Sequence, residues 1–176
     1  RVRLGRAEMK QHIAAFAACA LASCVGCAAP SDEVICVDGV CRPAREVKAA
    51  YAALPRIHCQ ADFERLVRQA DRPVLVDFYM DRCEPCRRFM PIVVLLAEEY
   101  DGRVDVIRAK KEDCPRVIKQ CNVTGYPTAV LYDGGQEVER WLGRWPADKY
   151  RGALDAAAPA CAAWRPRDIP GLSGAE

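Results

Sequence analysis

Apolar and polar positions change period several times along this chain, and each change marks an element. Residues 34–41 alternate around Asp38-Gly39, a dipeptide suited to a tight turn, which predicts a hairpin with Val37 facing Val40 and Cys36 facing Cys41. A short helix is predicted over 44–53, ended by Pro55. Next come a strand over 56–59, a helix over 61–70 with Phe63, Leu66 and Val67 on one face, and a near-continuous apolar run over 73–80 of buried-strand type. A long helix over 83–100, a strand over 104–109 and a short helix over 115–120 follow. The pattern closes with a strand over 128–132, a turn at Asp133-Gly134-Gly135, a strand over 136–142 and a helix over 146–157. Strands alternating with helices over 55–157 specify one α/β domain, and the Pro- and Gly-rich residues 158–176 are expected to form a flexible tail.

The start of the chain follows another logic. Met9-Lys10-Gln11-His12 precedes nine uncharged apolar or small residues, 13–21, as in the charged and apolar regions of a secretory signal. That run is far short of the roughly 20 residues a membrane-spanning helix needs. Leu21-Ala22-Ser23-Cys24 resembles a bacterial lipobox, which implies cleavage before Cys24 and a lipid on its thiol. The expected organisation is therefore a signal peptide at 1–23, a tether with the Cys36/Cys41 hairpin at 24–54, and then the domain and tail. An exported protein on the periplasmic side of a bacterial membrane, anchored by lipid, follows as the expectation.

Charge changes little in this picture. The whole chain has 26 Lys+Arg against 24 Asp+Glu, and removing 1–23 takes away four bases and one acid, leaving 22 against 23. A near-neutral balance gives no electrostatic footprint for nucleic acid.

Cysteine changes more: 11 in 176 residues is too many for an ordinary cytosolic enzyme. Cys83-Glu84-Pro85-Cys86 sits where the buried strand gives way to the long helix. A thiol at a helix N-terminus is ionised by unpaired backbone N–H groups and the helix dipole, which makes Cys83 a nucleophile. Cys86, three residues on, is placed to attack a mixed disulfide and release its partner.

With Val76-Asp77-Phe78-Tyr79 entering the motif, Pro91 five residues after Cys86, Gly125-Tyr126-Pro127-Thr128 downstream and Gly143 after the last strand, the chain resembles the thioredoxin family over about 100 residues. The resemblance implies a thioredoxin fold, a central mixed β-sheet flanked by helices, and thiol–disulfide exchange on protein disulfides without a cofactor. By position it makes Cys83 the attacking thiol, Cys86 the resolving thiol, and Asp77 a buried acid that moves the proton of Cys86. Pro127 corresponds to the family's cis-proline, beside which Tyr126 would pair with an extended substrate. Arg82 and Glu84 depart from the usual Trp and Gly. Pro85 is kept, as in the reducing members, so a reductase is the preferred reading, with a membrane thiol as electron donor. A disulfide oxidase or isomerase is the alternative within this chemistry, and a module that hands soft metal through Cys83 and Cys86 the alternative outside it.

The remaining cysteines carry weaker expectations. Cys36–Cys41 is read as a structural disulfide, in preference to a zinc site formed with Cys24 and Cys27. Cys114 and Cys121 are too far apart along an intact helix to bridge and are read as small apolar residues, a regulatory pair being the alternative. Cys59 and Cys161 could join the first strand of the domain to the tail. Trp141, Trp145 and Trp164 are read as packing residues.

Overall fold

A computed structural model describes residues 33–158. The expected signal at 1–23, the lipidation site Cys24, Cys27, Cys161, Trp164 and residues 159–176 of the tail lie outside the described residues.

The described chain opens with the hairpin, β1 (Val34–Val37) and β2 (Val40–Pro43), in the expected register of Val37 opposite Val40 and Cys36 opposite Cys41. Asp38 and Gly39 both have positive φ, the conformation a two-residue turn of this kind requires. Helix α1 (Ala44–Ala53) follows with no loop. Ala44, Val47 and Tyr51 form its buried stripe at i, i+3 and i+7.

Five strands form the main sheet: β3 (Arg56–Ile57), β4 (Val74–Tyr79), β5 (Asp105–Lys110), β6 (Thr128–Asp133) and β7 (Gln136–Leu142), in the spatial order β3-β5-β4-β6-β7. The pairs β3–β5 and β4–β5 are parallel, while β4–β6 and β6–β7 are antiparallel, so the sheet is mixed. Helices α3 (Glu84–Glu99) and α5 (Ala147–Ala157) pack with α1 against one face, and α2 (Gln60–Phe63) and α4 (Pro115–Gln120) against the other. Along β4 the side chains obey the period of two: Val74, Val76 and Phe78 join the core beneath α2 and α4, and Leu75 joins the core beneath α3. Asp77 therefore points to the side of α1 and α3. No helix among the described residues is long and apolar enough to cross a membrane.

Two elements differ from the periodicity reading. The helix expected over 61–70 is four residues of α-helix continued by a π-helical stretch, Glu64–Arg68, where Gln69 N–H bonds Glu64 O at 2.9 Å. The widened turn carries Arg68 to the β6–β7 turn, where its Nη1 donates to Gly135 O at 2.6 Å. Strand β3 stops at Ile57 because the next backbone N–H, that of His58, donates to the Asp62 carboxylate at 3.0 Å. The strand is shorter than the expected 56–59 because local side-chain capture competes with the ladder.

Candidate redox site

Strand β4 leaves the sheet at Tyr79 and turns through Met80, Asp81 and Arg82 to reach Cys83. Arg82 takes a positive φ of 53°. The turn is held by Lys110 Nζ, 2.7 Å from the Asp81 carboxylate, and by Glu112, which accepts from Asp81 N–H at 3.3 Å. Cys83 is the N-cap of α3, its Sγ accepting from Cys86 N–H at 3.1 Å, and Pro85 occupies the first turn, where a missing N–H costs nothing. Cys83 and Cys86 are joined as a disulfide, S–S 2.05 Å.

The charges around the pair form one linked group. Glu84 is not a free anion opposing the thiolate, because it accepts from Arg87 Nε at 2.8 Å and Arg88 Nε at 3.1 Å. Those hydrogen bonds, that of Arg87 first, hold its carboxyl below the usual range. The cation left over from this triad, with Arg82 nearby, favours a negative sulfur at the helix N-terminus.

Asp77, on the face of β4 that α1 and α3 cover, has 2% of its surface exposed. Burial pushes its carboxyl up to about 7, against two opposing influences, the Tyr51 hydrogen bond and the charge of Arg108. Tyr51 Oη–H donates to Asp77 Oδ2 at 2.6 Å, whereas Oδ1 has no hydrogen-bond partner among the described residues. Arg108 is directly opposite Asp77 on β5. Its guanidinium stacks over the Tyr51 ring at 4.7 Å and donates to Ala52 O and Leu54 O at 2.8 and 3.1 Å, tying the end of α1 to the sheet. A cleft of about 190 Å³ brings Tyr51, Tyr79, Cys83, Cys86, Arg87 and Met90 to one opening.

The Tyr126–Pro127 bond is cis. Thr128 pairs with Phe78, so the cis peptide stands at the same sheet end as the loop to Cys83. Pro127 O accepts from Gly143 N–H, and Gly125 O from Thr128 Oγ1, both at 2.8 Å. A side chain at 125 would put its Cβ 2.8 Å from Leu142 Cδ1, the end of an exposed side chain.

The other cysteines separate cleanly. Cys36 and Cys41 form a disulfide, so neither sulfur is a free zinc ligand. Cys114 and Cys121 are buried free thiols; Cys114 Sγ donates to Lys110 O at 3.1 Å and Tyr132 Oη–H donates to Cys121 Sγ at 3.5 Å. Burial pushes Cys114 up to about 11 and raises Cys121 as well, which leaves both protonated and unreactive at neutral pH. Cys59 is an exposed free thiol. Trp141 packs in the core, whereas Trp145 is half exposed, its indole N–H donating to Leu142 O at 3.1 Å.

Sequence reasoning named Cys83, Cys86, Asp77, Tyr126 and Pro127 but missed Tyr51 and Arg108. The one available signal for Tyr51 was the Ala44, Val47, Tyr51 stripe, which marks a buried face without saying what it meets.

The thioredoxin family model matches residues 55–156. The thioredoxin of Synechocystis sp. is 31% identical over 104 residues, covering 59% of this chain and 96% of that protein. Thioredoxin 1 of Nostoc sp. is 36% identical over 84 residues, covering 48% and 78% respectively. Among solved structures, the oxidised form of mitochondrial thioredoxin 3 from Saccharomyces cerevisiae superimposes with a TM-score of 0.55 at 28% identity, over 60% of this chain and 98% of that one. The hairpin and α1 precede the matched segment.

Proposed function

This chain belongs to the thioredoxin family, a family of thiol–disulfide oxidoreductases, and from that premise we propose that it is a reductase of disulfides in exported proteins. The observation that carries the reading is the Cys83–Cys86 disulfide at the N-terminus of α3, whose cleft is bordered by Tyr51, the hydrogen-bond partner of a buried carboxyl held up near neutral pH.

In the reduced enzyme, the Cys83 thiolate attacks one sulfur of a substrate disulfide. A mixed disulfide forms and the other substrate sulfur leaves with the electron pair, taking a proton from solvent. Cys86 then loses its proton to the Asp77 carboxylate and attacks Cys83 Sγ. The Cys83–Cys86 bond forms, the bond to substrate breaks, and the second substrate sulfur leaves as a thiolate. The balance is two electrons from the enzyme dithiol to the substrate. Tyr126 and Pro127 would hold the substrate segment extended beside the thiols, where its backbone pairs as an added strand. Return to the dithiol requires a membrane thiol as donor, and the Cys24 lipid anchor would keep the enzyme within reach of it.

A Cys86→Ser variant should accumulate mixed disulfides with envelope proteins, visible as adducts on non-reducing gels and lost on addition of dithiothreitol. The direction is read from the potential of the Cys83–Cys86 couple: a value near that of thioredoxin, about −270 mV, supports the reductase, whereas one near −120 mV would make the protein an oxidant and overturn it.

A further inference from the structure

The matched segment begins at residue 55, yet one hydroxyl on its buried acid comes from residue 51. Tyr51 belongs to α1, which packs in the same core as α3 and the inner face of β4. It borders the cleft that opens on Cys83 and Cys86 and also touches Asp77, so it stands between the solvent side of the site and the carboxylate. Its ring is fixed on both sides, edge-on to Tyr79 at 5.8 Å between centroids and beneath the Arg108 guanidinium. A hydroxyl that only filled space would not need this orientation.

We propose that Tyr51 is a positioning residue of the redox site: by occupying Asp77 Oδ2 it holds the carboxylate in one orientation, leaves Oδ1 as the atom that takes the Cys86 proton, and makes that proton transfer depend on the docked hairpin–α1 unit. This rests on the reading of Cys83 and Cys86 as the exchanging pair. Among the described residues, the charged and titratable groups facing Asp77 are few. Tyr51 comes from α1, Arg108 from β5 and Tyr150 from α5, and the Tyr150 hydroxyl is itself pushed up to about 12, by burial first and with the Asp77 charge contributing. Tyr51 and Arg108 both favour the carboxylate, whereas burial favours the neutral acid. Removing the Tyr51 hydroxyl therefore makes Asp77 a weaker acid. Hydrogen bonds to charged groups are strong enough for the change to be about tenfold.

The test compares the full chain with its Tyr51→Phe, Asp77→Asn and double variants. The Asp77 carboxyl is titrated by 13C NMR in the oxidised proteins, and disulfide reduction of insulin is measured from pH 6 to 9 with dithiothreitol as donor. The expected results are an Asp77 titration displaced to higher pH in Tyr51→Phe and exchange about fivefold slower at pH 7, converging on the wild type by pH 9. In the Asp77→Asn background, Tyr51→Phe should change nothing further. An unmoved Asp77 titration, or an equal loss of rate at every pH and in both backgrounds, would overturn the proposal. A wild type that reduced no disulfide would defeat the reductase reading instead, and the titration would still decide the role of Tyr51.

Discussion

Asp77 is a residue whose value to the enzyme and cost to the fold are the same property. An acid that ionises near pH 7 can exchange protons with a thiol under working conditions, but it reaches that range only by being buried. The folded-state value lies above the ordinary aspartate value, so the native state holds a proton that the unfolded chain releases. Its contribution is complete below about pH 4 and is lost as pH rises through 7. Denaturant unfolding of the oxidised protein should therefore show the wild type losing on the order of 2 to 3 kcal/mol relative to Asp77→Asn between pH 5 and pH 8. A constant difference between the two proteins would mean that Asp77 is already ionised in the fold at pH 5. The residues of the site that could be read in advance, Cys83, Cys86, Asp77 and Pro127, carry local signatures. Tyr51 and Arg108 do not, since their meeting with Asp77 spans 26 residues on one side and a strand crossover on the other.

At the scale of elements, what could be read in advance followed clear local patterning. Helix α1, α4 and β7 run over the residues their patterns predict, because each has a clear apolar stripe or a sharp boundary at Pro or Gly. The π-helical stretch after α2 has no local signature, and its last residue, Arg68, meets the β6–β7 turn. Gly134 and Gly135 there have φ of 54° and 75°, and a Cβ on Gly135 would stand 2.4 Å from Arg68 O. Gly135→Ala combines a disfavoured backbone conformation with a backbone clash, and should cost about 2 to 3 kcal/mol in a denaturant titration. Gly134→Ala, which meets nothing within 4 Å, isolates the conformational part and should cost about 1 kcal/mol. Equal losses for the two would show that Arg68 moves aside without penalty.

For the whole molecule, the family-matched domain carries an added hairpin and helix on its α3 side. Arg42 pairs with Glu98, and Arg151 gathers Asp38 from the hairpin turn, Glu99 from the end of α3 and Asp148 from α5. Such surface pairs are individually weak, and the apolar packing of Val47 and Tyr51 in the α3 core holds the added unit as well. The proposed anchor is also a property of the whole chain. Cys24→Ser should move the protein from the membrane fraction to the soluble fraction of the envelope while disulfide reduction in detergent extracts stays unchanged. Continued membrane association of that variant would rule out lipid on Cys24 as the attachment.

The hairpin lies lengthwise on α3, a helix of 16 residues and so roughly 24 Å long. At one end, Glu33 shares a groove with Glu84, Arg87 and Arg88, next to the redox pair. At the other, Ala158 O accepts from Arg103, just past the end of α3. For anyone building with this domain the two ends are not equivalent. A reporter group joined at Glu33 would sit beside the charged triad of the redox pair, whereas one joined at Ala158 would sit a helix length away from it.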